Sequence, residues 1–341
     1  MDLATLLEAL RTGQDIPSTP ATTGHALWLT RNASGNTALH VAARNGRLQH
    51  IPPELLTPEF FTIKNQAGYT PLHRAFEYVA APSALPPRLL LHDLLAITSN
   101  AGFSSYHIAA AHGHLTLLSH SILTPELLTI RTHLGNTFLH EAAETGQLEA
   151  IPPVFLNTAA FALANLTGET PLHTAALNGH LAQIPRALLT REALLTRTSA
   201  GDTVLHAAAL ARHLDHIPPE HLVHDTLVLA SKAGFTVLHA AAETGQLRAI
   251  PRSALTSELL ATRNDHGDSP LHAAAAGGHV DQIPVALLSP ELLAQRNYDG
   301  LTPIDVARHA GHQSQIPEHL YPRETGILAR LGAALGLRKT R

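Results

Sequence analysis

The stretch Gly168-Glu169-Thr170-Pro171-Leu172-His173-Thr174-Ala175-Ala176-Leu177-Asn178-Gly179 decides how the rest of the chain is read. Thr170 has the chemistry of a helix N-cap, because its side-chain oxygen can accept from a free amide of the first turn. Pro171 suits the first helical position, where a missing N–H costs nothing. Leu172, Ala175 and Ala176 put small apolar groups on one face, which lets a neighbouring helix approach closely. Gly179 ends the helix in a conformation that a Cβ would penalise.

Working outward, the opening glycine recurs as Gly35, Gly68, Gly102, Gly135, Gly168, Gly201, Gly234, Gly267 and Gly300, spaced 33 apart except for one interval of 34. Five residues after each stands a histidine: His40, His73, His107, His140, His173, His206, His239 and His272, with Asp305 in the ninth unit. The terminating glycine recurs as Gly46, Gly113, Gly146, Gly245, Gly278 and Gly311. Composition bias does not produce nine copies in register. A chain of 341 residues would otherwise suggest two or three domains, but a stacked array needs no single large core.

These residues resemble the ankyrin repeat, whose first helix reads T-P-L-H-x-A-A-x-x-G at the same period. The resemblance covers nearly the whole chain. It implies L-shaped units stacked into a gently curved array whose usual role is protein recognition. It also implies that the repeat histidine is structural, bridging backbone groups of adjacent units. The fold class expected is an all-α, ankyrin-like repeat solenoid of about nine units plus terminal caps.

The second half of each unit departs from the family. It reads I-P-x-x-L-L-T-x-E-x-L, as in Ile184-Pro185-Arg186-Ala187-Leu188-Leu189-Thr190-Arg191-Glu192-Ala193-Leu194. Proline inside a helix would cost about 3 kcal/mol, so the family's long second helix is broken here. A fresh Thr or Ser cap five residues later predicts another short helix, as at Thr57-Pro58-Glu59, Thr124-Pro125-Glu126 and Ser289-Pro290-Glu291. Each unit should hold one regular helix and two short helical segments, with the family's hairpin finger shortened or lost. This variant looks more bacterial than animal.

Three segments follow: residues 1–33 as an N-terminal capping unit, 34–320 as nine tandem repeats, and 321–341 as a C-terminal capping helix and basic tail. Leu3, Leu6, Leu7 and Leu10 share one helical face in the first, and Ile16-Pro17 echoes the repeat. Ile327, Leu328, Leu331 and Leu335 form a stripe in the last, beside Arg330, Arg338, Lys339 and Arg341. Three units break the pattern. Unit 2 has Val79 for the terminating glycine, unit 3 reads Ser104-Ser105-Tyr106-His107, and unit 6 has Arg212 where glycine should stand.

A net charge of −4 leaves no basic field for nucleic acid. With no cysteine, thiol catalysis and disulfides are excluded. There is no signal-like start and no membrane-length apolar run, so the default compartment is cytoplasmic, a reading blind to signal-independent export. No catalytic constellation, phosphate loop or cofactor motif appears, so the chain is expected to be a monomeric, non-enzymatic scaffold for a protein partner. The alternatives are a self-associating array and a histidine-based metal or pH-responsive binder. For the latter, His213, His216, His221 and His224 with Asp215, Glu220 and Asp225 have zinc-ligand chemistry, but the Ile217-Pro218 break and the lack of a known spacing favour a polar loop.

Core positions of a stack must stay constant, whereas outward ones vary. Positions one, four and five after the histidine vary, and should line a concave face: Val41/Arg44/Asn45, Arg74/Glu77/Tyr78, Ile108/Ala111/His112, Glu141/Glu144/Thr145. Later units carry mostly alanine there. Of 14 aromatics, seven fall between residues 60 and 106, so anchors concentrate in units 2 and 3. Phe76 and Tyr106 occupy core positions and should pack inward, whereas Tyr69, Tyr78 and Phe103 should face outward. The partner-binding site expected is Tyr69, Arg74, Glu77, Tyr78, Phe103, Ile108 and His112.

Overall fold

A computed structural model describes residues 2–14, 21–78, 85–118 and 122–316. The Ile16-Pro17 echo, Val79 and the capping helix expected over 321–341 lie outside the described residues. The chain folds as two compact units, residues 1–196 and 197–341.

In the first unit, the longer helices are α1 (Leu3–Thr12), α2 (Ala21–Leu29), α3 (Ala38–Arg44), α5 (Pro71–Tyr78), α7 (Ser105–Ala111), α8 (Phe138–Thr145) and α10 (Pro171–Asn178). Between them lie the single turns α4 (Pro58–Phe61), α6 (His92–Leu95) and α9 (Thr158–Phe161), with α11 (Arg191–Leu194) closing the unit. In the second unit, α12 (Val204–Leu210), α14 (Val237–Thr244), α16 (Pro270–Gly277) and α18 (Pro303–His309) alternate with the single turns α13 (His224–Leu227), α15 (Ser257–Leu260) and α17 (Pro290–Leu293). The class is the all-α repeat array expected: among the described residues there is no strand, only three isolated bridges such as Thr98 with Ser104.

Each repeat helix packs on the next. The series α1, α3, α5, α7, α8, α10 runs through the first unit, and α12, α14, α16, α18 through the second. The paired alanines make this possible, since Ala175, Ala176, Ala241, Ala242, Ala274 and Ala275 are all fully buried at the helix–helix contact. Leu6, Leu7 and Leu10 of α1 are buried like the core residues of a repeat.

Among the described residues, the second half holds three short segments, not two, in the first repeat and the fourth to eighth. In the fifth repeat they are 3-10 turns at Leu181–Gln183 and Arg186–Leu188, then α11. The unforeseen one lies between the terminating glycine and Ile-Pro. Gly179 is left-handed (φ 79), and the His180 N–H reaches back to the Ala175 carbonyl at 2.8 Å. One tight turn, closed by Gln183 N–H on the His180 carbonyl, then buries both Leu181 and Ile184. Pro185 sits extended at φ −52, ψ 127 and accepts from Leu188 N–H, so its missing donor is harmless. Thr190 caps α11 by accepting from Ala193 N–H at 3.3 Å.

The opening glycines join adjacent repeats. Gly102 has φ 84, and a Cβ there would lie 2.7 Å from the His133 amide nitrogen of the next turn. That amide donates to the Ala101 carbonyl at 3.0 Å, so the two turns are held too close for a side chain. Equivalent amide-to-carbonyl links join Gln66 to Ser34 and Asp265 to Ala233.

The repeat histidine completes the seam. Thr37 N–H donates to His40 Nδ1 at 3.2 Å, and His40 Nε2 lies 2.9 Å from the Tyr69 carbonyl of the next repeat. Because Nδ1 accepts a backbone N–H, the proton resides on Nε2 and is donated onward. His73, His107, His140, His206, His239 and His272 repeat the arrangement, meeting the carbonyls of Phe103, Asn136, Glu169, Phe235, Asp268 and Leu301. Asp305 caps α18 equally well, with Thr302 N–H donating to its carboxylate at 3.1 Å, but a carboxylate has no proton to pass on.

Both nitrogens are committed, so these rings must stay neutral. Burial lowers His40, His73, His107 and His140 from the ordinary 6.5 to about 4, against a smaller opposing pull from the accepting carbonyls. Burial also lowers His206, His239 and His272. Between pH 6.5 and 4 the unfolded chain takes up protons that the folded chain refuses, so stability falls as pH falls through that window. A displacement of this size is worth on the order of 3 kcal/mol per ring. Four such rings together are comparable to the marginal stability of a domain. Helicity followed by circular dichroism should therefore collapse cooperatively with a midpoint between pH 4 and 6, with uptake of several protons. A chain still helical at pH 4 would contradict the seam.

Arg212 provides a second check. It stands at a terminating-glycine position and adopts φ 69, the one non-glycine residue with positive φ among those described. Arg212→Gly should raise stability by about 1 kcal/mol, read as a higher urea midpoint at unchanged slope.

Candidate partner-binding surface

The histidine fixes which neighbouring side chains face outward. Capping puts the histidine in the first turn, so the next residue lies beside the seam and the fourth and fifth lie near the helix end. Burial follows this order. Val41 and Glu141 are buried and Arg74 and Ile108 half-buried, whereas Arg44, Asn45, His112, Glu144 and Thr145 are exposed. The column is graded, and its C-terminal positions are the most exposed.

In the first unit the expected residues fall into two groups. Arg74 Nη1 lies 2.5 Å from Glu77 Oε2, one turn along α5, and both side chains are largely covered at 17% and 26% exposure. The Arg74 guanidinium lies 4.7 Å from the Tyr69 ring centre, and that ring stacks on His73 at 5.2 Å. Glu77 favours the charged form of His112 through its field, but burial and then His114, stacked at 6.0 Å, dominate and lower the His112 pKa. Tyr69, Arg74 and Glu77 thus form one connected cluster, with His112 close enough to feel the Glu77 charge.

Phe103 and Ile108 form the second group, on α7 and the turn before it. The side chain of Tyr78 lies outside the described residues. Tyr69 and Phe103, expected to face outward, are half-buried: Phe103 meets His107 edge-on at 6.1 Å. Each packs its ring on its own repeat's histidine and offers its carbonyl to the preceding one. Phe235 does the same with His239 and His206. Phe76 and Tyr106 pack inward as expected, and the Tyr106 hydroxyl lies 3.2 Å from His92 Nδ1.

Sequence reasoning missed what adjoins this cluster. A cleft of about 320 Å³ is lined by Arg11, Asn32, Asn36, Val41, Arg44, Asn45 and Arg74. Arg11 comes from α1, and Asn32 and Asn36 from a turn, so no single-repeat pattern could assemble them with Val41, Arg44 and Asn45 of α3 and its cap. In the second unit a groove of about 520 Å³, mostly apolar, runs past Leu210, Phe235, Glu243, Ala273, Ala276 and Val306. There the alanines noted only as weak anchors create room.

Glu141 is the buried carboxyl of this surface. Burial raises its pKa to about 7, opposed by a hydrogen bond from Asn136 Nδ2 at 3.1 Å. Of the four histidines considered for metal, His213 and His216 lie together with Asp215, whereas His224 approaches Asp225 at 3.6 Å. Among the described residues no helix is long and apolar enough to cross a membrane.

With this geometry in hand, comparison with known proteins gives three findings. A family model described as ankyrin repeats (3 copies) matches residues 106–193 and 139–218, about a third of the chain. No curated protein matches. Among solved structures, a chain in the complex of the predatory endopeptidase Bd0816 from Bdellovibrio bacteriovorus with the immunity protein Bd3460 is 27% identical, covering 54% of this chain and 94% of that one at a TM-score of 0.41.

The Tyr69 ring supports both His73 and Arg74, so Tyr69→Ala should lower stability by about 1–2 kcal/mol in urea unfolding. Leu166→Ala, at a side chain 75% exposed, should change it by less than about 0.5 kcal/mol.

Proposed function

The chain is an ankyrin-repeat protein, and we propose that it is a non-enzymatic scaffold that binds a protein partner on the face carrying the residues that follow each repeat histidine, the face its sequence marks as concave. Ankyrin repeats imply protein–protein interaction. The observation that carries the finer reading is the Arg74–Glu77 pair, held at 2.5 Å over the Tyr69 ring and beside an arginine- and asparagine-lined cleft. An arginine whose rotamer is already fixed by an ion pair and an aromatic face loses little entropy on binding, which is what an interface anchor requires. Ile108 and His112 extend the surface along the next helix. The proposed contact set is Tyr69, Arg74, Glu77, Tyr78, Phe103, Ile108 and His112.

Two features speak against chemistry at this surface. Seven of the repeat histidines, His40, His73, His107, His140, His206, His239 and His272, already use both nitrogens in the seam, so they offer no general base. The chain's net charge of −4 also gives no field for a nucleic-acid backbone. The scaffold is proposed to act as a monomer.

Tyr69 and Phe103 support the fold, so substituting them would confound binding with stability. The test is Arg74→Ala with His112→Ala. A partner captured from the native host would be identified, purified and titrated by calorimetry, with light scattering on the free chain. The double variant should weaken binding at least tenfold with circular dichroism and melting temperature close to wild type. Unchanged affinity would remove this surface, and a concentration-dependent mass would favour a self-associating array.

A further inference from the structure

The sixth repeat carries a side-chain cluster that the partner-binding surface does not use. His213, Asp215 and His216 each present a ligand atom, and the three atoms lie within 4.8 Å of one another. The arrangement follows from local structure. Leu214–His216 is a 3-10 turn, whose three-residue period places residues i and i+3 one above the other. His213 caps that turn and His216 ends it, so their rings stand parallel, 5.5 Å apart with planes inclined by 9°. Asp215 is exposed and both imidazoles are half-buried.

A second observation points to a ligand. The Nδ1 atom of His216 is buried and has no hydrogen-bond partner among the described residues. Such an atom is costly to leave unsatisfied. Three equivalent positions in other repeats hold glutamine (Gln183, Gln282 and Gln315), and two of these reach a backbone amide of the preceding repeat: Gln183 that of Leu148, and Gln315 that of Val280. The first repeat also has a histidine there, His50, but Arg47 stands at its His213 position, so the paired imidazoles belong to the sixth repeat.

We propose that His213, Asp215 and His216 bind a single Zn²⁺ ion, with solvent completing the coordination. Two imidazoles and a carboxylate are a zinc donor set, and tetrahedral ligands at ~2.0–2.1 Å from the metal stand roughly 3.3 Å apart. The three donor atoms have to close from at most 4.8 Å, and Asp215 is exposed. The ion would also tie down the turn that follows Arg212, whose left-handed backbone (φ 69) is strained.

The test uses residue types that the fold already accepts at these positions. Glutamine stands at the His213 position in two repeats (Gln147, Gln246) and at the His216 position in three, so His213→Gln with His216→Gln should fold normally. Metal-stripped protein is titrated with ZnCl₂ at pH 7.5 by calorimetry, and its melting temperature is followed with and without zinc. The wild type should bind one more zinc ion than the double variant, or bind it at least tenfold tighter, and only the wild type should gain melting temperature. His221→Gln with His224→Gln serves as control and should bind as wild type does. Equal zinc uptake by the wild type and the His213/His216 variant would overturn the site. So would a wild type that binds no zinc, or loss of binding in the control.

Discussion

The structure depends on a neutral imidazole held between two backbone groups that belong to different repeats. Its Nδ1 accepts the N-cap amide of its own helix and its Nε2 donates to a carbonyl of the next turn. One side chain therefore does two jobs: it satisfies an orphan donor at a helix start and fixes the next module's position. Burial keeps the ring uncharged, and an uncharged ring is the only form with one donor and one acceptor. Everything outside the seam takes its place from this geometry. The residue after the histidine is drawn into the contact, whereas those a turn later are released to solvent.

The opening glycines reinforce the same joint from the other end of the unit. Their left-handed backbone folds each turn so tightly that the following turn can hydrogen-bond across it. The alanine pairs then bring helices together with no side chain in the way. Proline in the second half prevents a continuous helix, and the chain instead descends through three short turns that alternately bury a leucine, an isoleucine and another leucine or phenylalanine. Helix length here is set by backbone donors that are absent or diverted, more than by intrinsic propensity.

Much of the fold could be read in the chain because it is written nine times. Thr170, Pro171, His173 and Gly179 each have a local reason for their positions, and those reasons agree. The turn at Leu181–Gln183 was hidden, since nothing in His180-Leu181-Ala182-Gln183 distinguishes a 3-10 turn from loop. The candidate surface was harder to read. Arg74, Glu77 and His112 could be picked out because they interrupt a small-residue column. Tyr69 and Phe103 were misjudged as free because a pattern cannot show a ring lying on its own repeat's histidine. Arg11, Asn32 and Asn36 come from elements outside the first-helix pattern and meet only in three dimensions. His213 and His216 were marked by composition, but a 3-10 period was needed to stack them and to leave His221 and His224 elsewhere.

For seven of the repeat histidines the acceptor is a main-chain carbonyl, whatever residue supplies it: Tyr69, Phe103, Asn136, Glu169, Phe235, Asp268 or Leu301. A joint of that kind does not inspect its neighbour's side chain. A coding sequence built this way can duplicate, delete or shuffle a whole module by recombination without breaking a junction, while an insertion of one residue at the turn would. Heritable variation is thereby steered toward changes in module number and order, and point substitutions are left to diversify the solvent-facing column.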